Sequence, residues 1–124
     1  MVVDDDADTQ TYMATVLARS YGVVTAASGP EMWARLEDGG INLILMDLTL
    51  AGGEDGIELT RQLRANPRWS SLPVVALTAH ASDDVRDRAL RAGCDDYVCK
   101  PIDRRRLFAL IDSLISRGAS ESGS

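Results

Sequence analysis

The chain has 124 residues, 45% of them apolar and 26% charged, with a formal net charge of −6. That size and composition describe one globular domain with room for a real core, and the acidic balance argues against direct nucleic-acid binding. No apolar run approaches the roughly 20 residues that span a bilayer, so no membrane segment is expected.

Residues 1–3 read as a short first strand and 4–8 as an acidic loop. Residues 9–21 carry a helical period, with Met13, Val16, Leu17, Ser20 and Tyr21 on one face and Gly22 as the stop. Residues 23–26 form a second strand. Ser28, Pro30 and Glu31 make a capping box with proline at its favoured position. The helix it starts runs to about Asp38, where Gly39 and Gly40 break it. The third strand lies within 41–46 and is apolar at nearly every position, as expected where helices cover both faces of a sheet. Asp47 ends it, and 48–55 is a loop containing Gly52 and Gly53.

Asp55 caps a helix over 56–65, with Glu58 three residues on. Pro73 opens a fourth strand over 74–78. Ser82 caps a helix that runs to Ala92 and stops at Gly93. A fifth strand covers 96–99, and Pro101-Ile102-Asp103 lead into a last helix ending near Ser116. The small, polar end of the chain reads as disordered. The expected organisation is one domain over 1–116 and a polar tail or linker stub over 117–124.

Strands and helices alternate five times, which predicts a doubly wound parallel sheet. The flavodoxin-like strand order 2-1-3-4-5 fits. Strands one and three are neighbours in that order. Asp4, Asp5 and Asp47 then meet at the crevice outside the carboxyl ends of the strands, where such folds bind ligands. Thr78 and Lys100 end the fourth and fifth strands at the same edge.

Three carboxylates gathered there repel one another, and either proton uptake or a bound cation relieves this. Hard oxygen ligands on a water-accessible loop suit Mg²⁺, with Mn²⁺ as a substitute. The plainer alternative is a solvated acidic loop capping the first helix; Asp47 at the end of a wholly apolar strand favours the cation. A carboxylate can also act as a nucleophile toward phosphorus, and a transferring phosphoryl group needs its charge neutralised on several sides. Mg²⁺ and the Lys100 ammonium would do that, and the Thr78 hydroxyl could bond a phosphoryl oxygen. Thr78 could equally be a strand-forming residue, and Lys100 a surface cation. Lys100, however, is the only lysine in a chain that otherwise uses arginine. A compact amine at that one place suggests a task that a planar guanidinium fills poorly.

These segments resemble the receiver domain of bacterial two-component response regulators and hybrid histidine kinases. Val2-Val3-Asp4-Asp5-Asp6 resembles the family's first strand and acidic pair, and Leu43-Ile44-Leu45-Met46-Asp47 its phosphoacceptor strand. Asp55-Gly56-Ile57-Glu58-Leu59 resembles the start of its third helix. Pro73-Val74-Val75-Ala76-Leu77-Thr78-Ala79 resembles the switch-threonine strand. The stretch from Ala92 through Asp96-Tyr97-Val98-Cys99-Lys100-Pro101 resembles the switch aromatic and Lys-Pro segment. The likeness runs to about Ser116.

The resemblance implies that Asp47 accepts a phosphoryl group from a phosphohistidine on a sensor histidine kinase or a histidine phosphotransfer protein. It implies Mg²⁺ on Asp5, Asp47 and the backbone carbonyl of Thr49, with Asp4 acting through water. Thr78 and Lys100 would contact the phosphoryl group, and Tyr97 would swing inward as Thr78 moves. Lys100-Pro101 would be a cis peptide. The altered surface, made by the fourth helix, fifth strand and fifth helix, would meet a downstream protein or a fused output domain. Homodimerisation through the last helices is compatible with this. The protein would be a cytoplasmic signalling phosphoacceptor that catalyses only its own phosphorylation and dephosphorylation, not an enzyme acting on a separate substrate.

The chain departs from the family in four places. Ala51 stands where a proline is usual, and the Asp47-to-Gly56 loop is one residue longer than the common pattern. The first strand is short. His80, two residues beyond Thr78, and Thr49, two beyond Asp47, are positions that could tune the lifetime of the acyl phosphate; an exposed histidine before a helix is the other reading of His80.

Other readings fit less well. A dehalogenase-like phosphatase needs an acid where Thr49 stands, and a flavin binder would not place acids from Asp4 to Asp8 in its phosphate loop. A calcium loop built on Asp4, Asp6 and Asp8 fails at Thr9 and Thr15. Cys94 and Cys99 read as reduced packing residues, since a second zinc-ligand pair is missing, and Arg104-Arg105-Arg106 reads as a solvated helix start. The remaining competitor is a receiver-like protein-interaction module that works without phosphorylation.

Overall fold

The computed structural model describes residues 1–48, 55–79 and 82–123, with side chains as far as residue 116 in the last segment. Strands β1 (Val2–Val3), β2 (Thr25–Ala26), β3 (Ile44–Asp47), β4 (Val74–Thr78) and β5 (Asp96–Cys99) form one parallel sheet in the order β2-β1-β3-β4-β5. Helices α1 (Ala7–Leu17), α2 (Gly29–Asp38), α3 (Gly56–Ala65), α4 (Asp83–Ala92) and α5 (Arg104–Gly123) cover it. This is the flavodoxin-like α/β fold expected from the alternation of elements.

Side-chain alternation along the strands divides the core in two. Ile44, Met46, Val74 and Ala76 join Met32 and Leu36 of α2, Leu63 of α3 and Ala89 of α4 on one face. Leu45, Val75, Leu77 and Val98 join Met13 and Leu17 of α1 and Leu107 and Ile111 of α5 on the other. Both faces of β3 and β4 are therefore dry, which explains their unbroken apolar runs.

Caps set several boundaries. Ser28, Asp55 and Ser82 each accept a backbone N–H in the first turn of the helix that follows. Gly93 ends α4 in the left-handed region, at φ +115°. Two helices, α1 and α5, differ from the sequence expectation at their ends. Asp6 caps α1, so the helix starts earlier, and it ends at Leu17 rather than Tyr21. The amides of Ser20 and Tyr21 both donate to the Leu17 carbonyl, so the chain turns before Gly22 is reached. At the other end, α5 continues past Ser116 and through Gly118. An interior glycine costs a helix only about 1 kcal/mol, and no proline follows Pro101 to stop it.

Arg64 ties the lower part of the fold together. Its Nε donates to the Gly93 carbonyl at 2.9 Å, and its Nη1 to the carbonyls of Leu72 at 2.6 Å and Ser70 at 3.2 Å. Its Nη2 meets Asp95 Oδ2 at 3.0 Å, and the same oxygen accepts the Val74 amide at 2.8 Å. One guanidinium thus joins the end of α3 to the start of β4 and the turn into β5. Arg64→Ala is expected to lower stability by about 2–4 kcal/mol, because it orphans half-buried carbonyls and a carboxylate together. Arg64→Lys should recover only part, since an ammonium cannot fork. Urea unfolding reads the change; a loss below about 0.5 kcal/mol would overturn the clamp.

Tyr21 leaves the end of α1 and stacks on Phe108 of α5, with ring centroids 6.0 Å apart. Its hydroxyl donates to Asp112 Oδ1. Burial first, and then the Asp112 carboxylate, push the phenol up from 10.0 to about 12. A folded-state pKa above the unfolded one gives stability that is complete below pH 10 and lost as pH rises through about 12. Wild-type protein should therefore lose stability across that window relative to Tyr21→Phe. A stability difference that stays constant with pH would remove Asp112 and burial as the cause.

Candidate functional site

The register of β1 against β3 builds the site. Val2 pairs with Leu45 and Val3 with Met46, so the chain leaves the two strands side by side as Asp4 and Asp47. Asp4 is fully buried and Asp47 nearly so, whereas Asp5 is exposed. Each of the three acids offers an oxygen, and these oxygens lie within 4.8 Å of one another. It is the one such metal-competent cluster among the described residues.

The acidic loop is held from several sides. The Asp4 amide donates to the Ala26 carbonyl at 3.0 Å, and Asp4 Oδ1 accepts the Asp6 amide at 2.9 Å. Gln10 Nε2 reaches back from α1 to the Asp4 carbonyl at 2.5 Å. Asp6 accepts the Thr9 hydroxyl at 2.7 Å and the Asp8 amide at 3.2 Å. The Thr9 hydroxyl, then the Asp8 amide, hold the Asp6 carboxyl below its usual range. Asp6 is therefore occupied as a helix cap, which leaves Asp4 and Asp5 for the crevice.

Lys100 enters from the end of β5. Its Nζ lies 3.3 Å from Asp4 Oδ2 and 3.7 Å from Asp47 Oδ2. Its amide donates to the Thr78 carbonyl at 2.7 Å, which fixes the end of β5 against the end of β4. The Lys100-Pro101 peptide is cis. Thr78 is buried at the end of β4, in register with Cys99. Four of the residues singled out from the sequence, Asp4, Asp5, Asp47 and Lys100, are thus gathered at one edge, with Thr78 on the adjoining strand end. Thr49, Ala51 and His80 lie outside the described residues, as do positions 50 and 52–54 of the lengthened loop.

Three carboxylates against one ammonium leave a net negative site. Oxygen donors with one exposed member suit a hard divalent cation that keeps part of its water shell, so the donor set fits Mg²⁺. Neither cysteine belongs to it. Cys94 is buried, its thiol 3.8 Å from the Thr60 hydroxyl, and burial pushes that thiol up; Cys99 is half-buried, and both are free.

Tyr97 lies on the α4 side of β5, half-buried against that core. Arg86 of α4 places its guanidinium carbon 5.4 Å from the ring centroid. Arg106 of α5 donates to the Tyr97 carbonyl at 3.2 Å. Sequence reasoning missed Gln10, Arg86 and Arg106. Each acts across tertiary space, and no spacing rule marks it.

Gly56 has a second duty beyond opening α3. A Cβ there would sit 2.3 Å from the Asp47 carbonyl oxygen and 3.0 Å from Leu48 Cα, both backbone atoms that cannot turn away. Gly56→Ala is expected to lower stability by about 1–3 kcal/mol and to weaken Mg²⁺ binding by displacing Asp47. Urea unfolding and a metal titration check this. Full metal affinity in the variant would mean that the end of β3 moves freely.

Residues 1–112 match the family model described as the response regulator receiver domain. The chain is 34% identical over 121 residues to the phosphate regulon transcriptional regulatory protein PhoB of Rhizobium meliloti, covering 98% of this chain and 53% of that protein. It spans about half the length of the transcriptional regulators it matches. A putative response regulator from Chloroflexus aurantiacus superposes with a TM-score of 0.83 at 30% identity, over 93% of this chain and 94% of that one. The receiver domain of the sensor histidine kinase PA1611 from Pseudomonas aeruginosa gives 0.80 at 32% identity, over 93% and 94%. That structure holds a magnesium ion coordinated in its active-site cleft.

Proposed function

This chain belongs to the response regulator receiver family, and on that premise we propose that it accepts a phosphoryl group on Asp47 in the presence of Mg²⁺. The observation that carries the reading is the acid cluster of Asp4, Asp5 and Asp47 with the Lys100 ammonium set between Asp4 and Asp47. The donor is a phosphohistidine on a sensor histidine kinase or a histidine phosphotransfer protein. An Asp47 carboxylate oxygen attacks phosphorus, the P–N bond breaks, and the departing imidazole nitrogen takes up a proton.

Asp5, Asp47 and the Thr49 carbonyl would hold Mg²⁺, with Asp4 acting through water; Mn²⁺ would substitute. The ion supplies neutralisation of charge on the phosphoryl oxygens. Lys100 adds a cation on a flexible stem, and Thr78 offers its hydroxyl. His80 and Thr49 are the positions assigned to tuning the lifetime of the acyl phosphate. Residues 1–116 form the working unit and 117–124 a tail or linker stub.

Thr78 and Tyr97 couple the site to the surface of α4, β5 and α5, which meets a downstream protein or a fused output domain, or a second copy of the chain. The protein acts in the cytoplasm as a signalling phosphoacceptor rather than as an enzyme for a separate substrate, without direct contact to nucleic acid or membrane. No helix of the described residues is long and apolar enough to cross a membrane.

Incubation with Mg²⁺ and acetyl phosphate, followed by intact-mass measurement, tests the reading. One phosphoryl group should add to wild-type protein and none to Asp47→Asn, and a chelator should abolish the gain. Wild-type protein that gains no mass and binds no Mg²⁺ would instead be an interaction module that works without phosphorylation.

A further inference from the structure

Tyr97 is held by its backbone and its ring in different ways. Its amide donates to Asp96 Oδ1 at 2.8 Å, and its carbonyl accepts from Arg106 at 3.2 Å. Arg106 also meets Asp96 Oδ1 at 3.6 Å. The carbonyl is therefore tied directly to α5, and the amide is held by Asp96 of its own strand, which Arg106 also meets. The ring is half-buried, and its one cationic contact among the described residues is Arg86, at 5.4 Å from the centroid. That lies within the reach of about 6 Å over which a guanidinium is attracted to an aromatic face.

Tyr97 pairs with Ala76 across the sheet, and side chains two residues apart share a face, so Ala76, Thr78 and Tyr97 project to the α4 side together. Ala76, the partner of Tyr97 across the sheet, is small, and Thr78, two residues on, is buried. Arg86 itself is exposed and pairs with no acid among the described residues, although Asp83, Asp84 and Asp87 share its helix.

We propose that Arg86 is a positioning residue for the phosphoryl switch. Its contact with Tyr97 favours the ring position of the unphosphorylated state and so lowers the affinity of the site for a phosphoryl group. The inference rests on the reading of Asp47 as phosphoacceptor. Inward movement of Tyr97 breaks the contact with Arg86. Coupling between two sites is reciprocal, so whatever holds the ring back also weakens the phosphorylated state by the same factor.

The test uses the full chain with Mg²⁺ and beryllofluoride, a non-covalent mimic of the phosphoryl group, titrated by calorimetry. An exposed cation–π contact of ordinary strength predicts that Arg86→Ala binds the mimic about 2- to 5-fold more tightly than wild type. Arg86→Lys, which keeps a cation, should stay near wild type. Arg88→Ala, which removes the same charge from the same helix, should not change affinity. In protein labelled with 3-fluorotyrosine, the Tyr97 fluorine resonance, assigned by its loss in Tyr97→Phe, should move in free Arg86→Ala toward its position in wild type with the mimic bound.

Equal or weaker binding by Arg86→Ala, an unmoved Tyr97 resonance, or an equal gain in Arg88→Ala would overturn the proposal. If wild type takes a phosphoryl group on Asp47 and Arg86→Ala behaves identically, the Arg86 role alone fails. If wild type binds no mimic and gains no phosphoryl group, the phosphoacceptor reading fails and takes the Arg86 role with it.

Discussion

One ammonium serves two almost dehydrated carboxylates: Lys100 Nζ sits 3.3 Å from Asp4 and 3.7 Å from Asp47. Burying a carboxylate without a partner is expensive, and burying two beside each other is more so. The charge balance at this edge therefore constrains everything around it. Asp4 and Asp47 come together only because β1 and β3 are neighbours in a parallel register. Lys100 reaches them only because its amide is tied to the end of β4 through the Thr78 carbonyl. A slip of one residue in either pairing would point a different set of side chains at the crevice.

That edge has a dry base and a polar rim. The apolar runs of β3 and β4 fill both cores and end abruptly in Asp47 and Thr78. The helix start behind the site is equally tight, since Gly56 lies against the backbone of Asp47 and Leu48. Rigid strands thus carry the groups that must stay in place, while the rim is built of turns and caps. Asp6 illustrates the division: it belongs to the same acidic run as Asp4 and Asp5, but its carboxylate caps α1.

The far end of the molecule is fastened by different means. Arg64 collects carbonyls and a carboxylate between α3, β4 and the turn into β5, and Tyr21 fastens the end of α1 to α5. Both joins lie at the opposite end of their strands or helices from the acid cluster. They brace the two helical layers without using any group that the site needs. Tyr97 differs, because its backbone is braced by Arg106 and Asp96 while its ring rests under an exposed arginine.

Much of this was legible in local sequence. The bounds of α3, β4, α4 and β5 follow from Asp55, Pro73, Ser82 and Gly93, because caps and breakers act within a turn of their own position. Strict alternation of elements implied a doubly wound parallel sheet, and the flavodoxin-like order that fits it, which the structure adopts, brings Asp4, Asp5, Asp47 and Lys100 together. The end of α1 was not legible, since Tyr21 is drawn off by Phe108 and Asp112, far along the chain. Nor were the bonds of Gln10, Arg64, Arg86 and Arg106. A long polar side chain has many partners within reach of its stem, and only the packed helices choose among them. The sequence by itself determined which residue types would stand at the strand ends, because hydrophobic periodicity and turn chemistry are local. Only the tertiary structure decided that Lys100 lies nearer Asp4 than Asp47 and that Arg86 covers Tyr97, because those distances depend on how separate elements pack.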